Sequence, residues 1–173
     1  MSRAFVKEND LEHAGTDLPE RPQSEHPNYV TPAGLAQLTR QAAELESEYL
    51  RLNPQKDDPV IRQKLAVIER DLRYFQSRLE NAIPVNPAEQ RQDVVLFGAT
   101  VEVENEEGEL HVFEIVGEDE ADIQRNKVSW VSPLARALIG HKVGDSVVWR
   151  RPAGDLPLEI TAIHYKQSQG NQP

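Results

Sequence analysis

The sequence contains no cysteine. That excludes a disulfide frame, a thiolate metal site and a cysteine nucleophile. It also has no long apolar run, and a membrane-spanning helix needs about 20 such residues. The opening residues, Met1 to Asp10, are mixed polar and lack the apolar centre of a secretory signal. A soluble, cytoplasmic protein with no membrane contact is therefore expected. Positive charge is scarce: 19 Lys and Arg stand against 29 Asp and Glu, for a formal net charge of −10. No basic face large enough for a duplex can be built from this chain, so nucleic acid is expected to be met only through a partner that carries the positive charge. Five histidines, His13, His26, His111, His141 and His164, show no metal-ligand spacing and read as structural or surface residues.

What is present is a strong helical period. Leu35, Leu38, Ala42, Leu45, Tyr49 and Leu52 recur at alternating steps of three and four. Ile61, Leu65, Ile68, Leu72, Phe75, Leu79 and Ala82 repeat the pattern. Each is an a/d seam that must be buried against another. Between them Asn53-Pro54-Gln55-Lys56-Asp57-Asp58-Pro59 stops one helix and starts the next. Residues 31–85 are thus predicted to form an antiparallel coiled-coil hairpin. Thr31-Pro32 and Asp58-Pro59 supply a cap and a proline at the first helical position of each arm. Arg40, Glu44, Glu48, Lys64, Arg70, Asp71 and Arg78 read as solvated faces.

Residues 1–30 are rich in Pro, Glu, Asp and His and read as a disordered or loosely tethered extension. Within it, Ser2-Arg3-Ala4-Phe5-Val6-Lys7 is the one stretch with an apolar centre and basic flanks, the rival reading being a docking arm. Residues 86–93 read as a linker. From Val94 the period changes to two. Strands are predicted over Val94–Glu104, Leu110–Val116, Lys127–Val131, Ser146–Arg150 and Leu156–Tyr165, with turns at Asn105–Gly108 and Val143–Asp145. Ser132-Pro133-Leu134-Ala135-Arg136-Ala137-Leu138-Ile139-Gly140 has the cap, N1 proline and terminal glycine of a short helix. Residues 94–166 are therefore an antiparallel sheet with one helix, and the chain is α+β. Trp130 and Trp149 fall on strands and are expected in the core. A tail, 167–173, reads as disordered.

The strings Phe97-Gly98-Ala99-Thr100-Val101, Ile115-Val116-Gly117-Glu118-Asp119-Glu120-Ala121-Asp122, Ser132 through Gly140 and Lys142-Val143-Gly144-Asp145 resemble, in order and spacing, the C-terminal domain of the bacterial GreA/GreB transcript-cleavage factors. The hairpin resembles their N-terminal coiled coil. The resemblance implies an FKBP-like C-terminal domain and RNA polymerase as partner. It implies docking at the mouth of the secondary channel through Glu118, Asp119, Glu120, Asp122, Ser132, Pro133 and Arg136, with the coiled coil entering the channel. A monomer is expected. No catalytic residue is intrinsic to such a factor, which is not itself an enzyme, and no intrinsic cofactor is expected.

The chain departs from the family at the hairpin tip. Cleavage-stimulating members carry Gly-Asp-x-Ser-Glu-Asn there, whose carboxylates help hold a second Mg²⁺ at the polymerase active site. Here only Asp57 and Asp58 remain as candidate acids for a shared Mg²⁺. Both also suit plain turn chemistry, Asp58 as a helix cap before proline. Two forms of a polymerase-binding elongation regulator follow: one in which the two aspartates support transcript cleavage, and one in which the tip is idle and the protein occludes the channel. The alternative in another class is an interaction module on a different partner, of the short-coil type associated with nucleotide metabolism.

Overall fold

The computed structural model describes residues 18–167, which fall into two compact units. The arm at Ser2–Lys7 and all of the tail beyond Gln167 lie outside the described residues.

The first unit holds residues 36–82 together with the described residues up to Pro27. Its core is a pair of helices, α1 (Pro32–Leu52) and α2 (Pro59–Glu80), joined through a single 3-10 turn at Asn53–Gln55. Leu52, Leu65 and Ile68 are buried between them, with Leu45, Tyr49, Ile61 and Leu72 packed around. These are seam residues, so the period of the sequence is the surface that is buried. Two charges expected on solvated faces are not there. Arg70 and Arg78 are 9% and 3% exposed. Arg70 directs Nε and Nη2 at Asp71 Oδ1 at 3.1 and 3.0 Å, which meets the requirement that a buried charge be paired. The segment Leu18–Pro27 was expected to be loosely tethered. It instead lies along α2, where Arg73 and Ser77 hold Glu20 and Gln23.

The second unit holds residues 28–35 and the chain from Ile83 onward. Strand β1 (Asn28–Val30) pairs with β2 (Ala82–Pro84) in a two-stranded ribbon. The main sheet has five strands, β3 (Ala99–Glu104), β4 (Leu110–Val116), β5 (Lys127–Ser129), β6 (Ser146–Trp149) and β7 (Leu156–Tyr165), in the order β5-β4-β3-β7-β6. One helix, α3 (Pro133–Leu138), touches both β5 and β6, the two edge strands, so the sheet curls around it. Burial alternates along β3, with Ala99, Val101 and Val103 at 0%. Ile115, Leu134, Ala135, Leu138 and Ile160 close the core from the other elements, each large side chain contributing about 1.5–3 kcal/mol on burial. Trp149, at the end of β6, and Trp130, in the turn just after β5 and not on a strand as expected, are partly buried against it.

Two expectations are corrected. The first strand does not begin at Val94. Tyr165 donates its hydroxyl to Val94 O at 2.5 Å and accepts from Leu96 N at 2.8 Å, while Val95 exchanges backbone hydrogen bonds with Gly140 and His141. The apolar run is thus used as a buried turn, and Gly98 (φ +88°) leads out of it into β3. The sheet is not wholly antiparallel: β4 and β5 run parallel, with Val116 opposite Ser129. Within residues 86–93, Asn86 caps a 3-10 turn whose Pro87 is buried against Gly98.

Candidate functional site

The parallel β4–β5 pair assembles the first group of candidates. In a parallel pair both strands end on the same side. Val116 leads into the acidic turn, and Ser129 leads toward α3, with Trp130 N donating to Val116 O at 2.9 Å. The acidic turn Glu118–Glu120 and the cap of α3 are brought together in this way. Sequence reading had placed these residues on one docking surface without the strand direction that joins them.

Their roles differ. Glu120 is 7% exposed and turned inward. Its Oε2 accepts from Thr31 Oγ1 at 2.6 Å, and Lys127 Nζ lies 3.7 Å from Oε1. Thr31 Oγ1 also accepts from Gly34 N at 3.0 Å, as the cap of α1. A Cβ at Gly34 would stand 2.6 Å from Glu120 Oε2. The buried carboxylate therefore fastens the acidic turn to the start of α1, and the position expected as a docking contact is a positioning group. Asp122 accepts from Gln124 N at 3.1 Å and caps the next turn. Glu118 and Asp119 are half-buried. Gly117 passes so close to β1 that an added Cβ would stand 2.5 Å from Tyr29 O. The Tyr29 ring meets Trp130 edge-on at 5.1 Å and Phe97 at 5.9 Å.

Ser132 Oγ accepts from Ala135 N at 3.3 Å, and Pro133 occupies the first turn of α3. With its oxygen used as a cap, Ser132 has the geometry of a helix start and not of a nucleophile. Pro133 and Arg136 are exposed. Among the charged candidates of this group, Arg136 is the one that is exposed, a guanidinium on the outer side of α3. Sequence reasoning missed Thr31, Gly34 and Tyr29 as members of this site. The cap residue was visible in the sequence, but its partner lies 89 positions away.

The tip group sits at the start of α2. Asp58 Oδ1 accepts from Val60 N at 2.9 Å, so it caps the helix. Arg62 reaches back over the turn, Nε donating to Lys56 O at 3.2 Å and Nη2 to Asp57 O at 3.4 Å. Mg²⁺ asks for near-octahedral oxygen donors. Here Asp58 uses one carboxylate oxygen on a backbone N–H, and a guanidinium lies across the carbonyls of the same turn. Among the described residues no group of three or more His, Asp or Glu side chains converges as a metal site.

Similarity to known proteins bears on both groups. Residues 90–165 match the family model described as the transcription elongation factor GreA/GreB C-terminal domain. The chain is 34% identical over 157 residues to transcription elongation factor GreB of Neisseria meningitidis serogroup B, covering 82% of this chain and 96% of the relative. It is 42% identical over 107 residues to transcription elongation factor GreA of Francisella philomiragia, covering 61% and 67%. Among solved structures it is similar to GreA factor homolog 1 of Thermus thermophilus, at 26% identity, 80% and 99% coverage and a TM-score of 0.39.

Proposed function

The chain belongs to the GreA/GreB family of transcription elongation factors, and on that premise we propose that it binds RNA polymerase as a monomer, inserts its helical hairpin as a coiled coil into the secondary channel, and regulates elongation by occupying the channel without stimulating transcript cleavage. The FKBP-like unit docks through the end of the sheet where Pro133 and Arg136 are exposed. Glu120 and Thr31 hold the adjoining turn in place. The polymerase keeps the catalytic centre, so the protein is not an enzyme and holds no cofactor of its own.

One observation carries the choice against cleavage. Asp58, one of the two acids at the tip, caps α2 through Oδ1, and Arg62 lies across the backbone of the same turn. A metal-assisted hydrolysis needs carboxylates free to share a cation at the moment of attack. This tip offers two aspartates, one of them already bonded as a cap, with a guanidinium laid across the backbone of the turn.

The test uses stalled, backtracked elongation complexes with Mg²⁺. Added protein should leave the RNA length unchanged and should suppress cleavage by an authentic Gre factor in a dose-dependent way. Arg136→Ala should weaken that suppression. Shortened transcripts that depend on Asp57 would overturn the reading.

A further inference from the structure

Leu18–Pro27 has no buried side chain, yet it is held along α2 by directional contacts. Arg73 grips Glu20 with both arms of its guanidinium, at 2.6, 3.0 and 3.1 Å. Arg21 places its guanidinium 3.9 Å above the Tyr74 ring and 5.3 Å from Phe75, with Asp71 Oδ1 at 3.6 Å. Ser77 Oγ donates to Gln23 Oε1 at 2.9 Å. Arg70, Arg73, Tyr74 and Ser77 stand at i, i+3, i+4 and i+7, one face of the helix. A carboxylate beside an aromatic face is the environment that selects a planar guanidinium over an ammonium.

We propose that this face of α2 is a docking slot for an extended, arginine-bearing segment of the polymerase, and that Glu20–Gln23 is its resident occupant, displaced when the factor engages. The inference rests on the polymerase-binding reading above. The resident segment is built to leave. Its Glu20–Arg73 pair is 61% and 53% exposed, and exposed ion pairs contribute little. None of its side chains is fully buried. It continues directly into β1, so a short tether returns it to the slot at high effective concentration. A partner segment with an arginine next to an acid can replace the Glu20 and Arg21 contacts one for one.

The absence of cysteine allows a direct test on the full chain: Ser24→Cys carries a nitroxide label. The label should be immobilised in the free protein and mobile once polymerase is added. Glu20→Ala with Arg21→Ala should bind polymerase roughly three- to tenfold more tightly, because the competent state no longer competes with closure. In that background Tyr74→Ala should cancel the gain and Tyr74→Phe should keep it. A label that stays immobile in the polymerase complex overturns the proposal, as does unchanged or weaker binding by the double variant. If neither chain forms a complex, the partner is wrong and the proposal falls with it, an outcome visible before any label is read.

Discussion

Removing the Thr31 hydroxyl tests whether Glu120 is a fastening rather than a docking charge. Thr31→Val keeps the volume and β-branching of a side chain that is 4% exposed. It deletes two hydrogen bonds. The cap to Gly34 N is worth about 1 kcal/mol. The bond to a buried carboxylate is worth roughly 1.5–3 kcal/mol, since hydrogen bonds to charged groups are the strong ones. The expected loss is therefore about 2–4 kcal/mol. For a protein of this size that is a fall of roughly 4–16 °C in Tm. The assay is intrinsic fluorescence, because both tryptophans, Trp130 and Trp149, lie in the unit that contains Thr31 and Glu120. Thr31→Ser keeps the hydroxyl and should lose only about 1 kcal/mol for its methyl group. Combining Thr31→Val with Glu120→Gln should show a coupling of roughly 0.5–3 kcal/mol. If the valine and serine variants melt alike, or the pair is additive, Glu120 does not depend on Thr31 and the fastening is refuted.

Gly117→Ala should cost about 1–3 kcal/mol, read as a lower urea midpoint, because its Cβ would collide with the Tyr29 carbonyl. Asp58→Ala should cost roughly 0.5–2 kcal/mol through the lost cap, while Asp57→Ala should stay within about 0.5 kcal/mol, both followed by helical circular dichroism on denaturation. Burial raises the Tyr165 hydroxyl above its ordinary value of 10.0. Its contribution is complete below that value and is lost as pH rises through the higher folded value, so Tyr165→Phe should flatten alkaline unfolding. The Arg73 side-chain hydrogen bond, supported by the charges of Arg73 and Arg70, holds the Glu20 carboxyl below its ordinary 4.5. The contact is complete above that value and is lost as pH falls through the lowered one. A label at residue 24 should therefore become mobile in acid.

Elements that depend on near neighbours in the chain were legible in advance. The seams of α1 and α2, the Asp58 and Ser132 caps, the hairpin of β3 and β4 and the terminal strand β7 are all local patterns, and each was expected close to where it lies. The misreadings concern groups whose surroundings the local pattern does not show. Val94–Phe97 carries strand-like residues, but Tyr165 and the Gly140–His141 turn take its backbone groups. Arg70 is charged, but its carboxylate neighbour lets it be buried. Glu120 sits in an acidic run that looks solvated, and a threonine 89 residues earlier, together with Lys127, holds it inward. Glu20 and Arg21 sit in a proline-rich segment with no buried side chain, so nothing in the local pattern announced their partners on α2.

Taken alone, the sequence determined the α+β class, the two-helix hairpin, the family and the missing acidic tip, because periodicity, capping and motif order are properties of residues a few positions apart. The tertiary structure decided the direction of β5 and the inward turn of Glu120. It also decided the seating of Glu20–Gln23. Each of these depends on which distant group satisfies a buried or charged atom, and a polar side chain takes its partner from the fold and not from its neighbours in the chain.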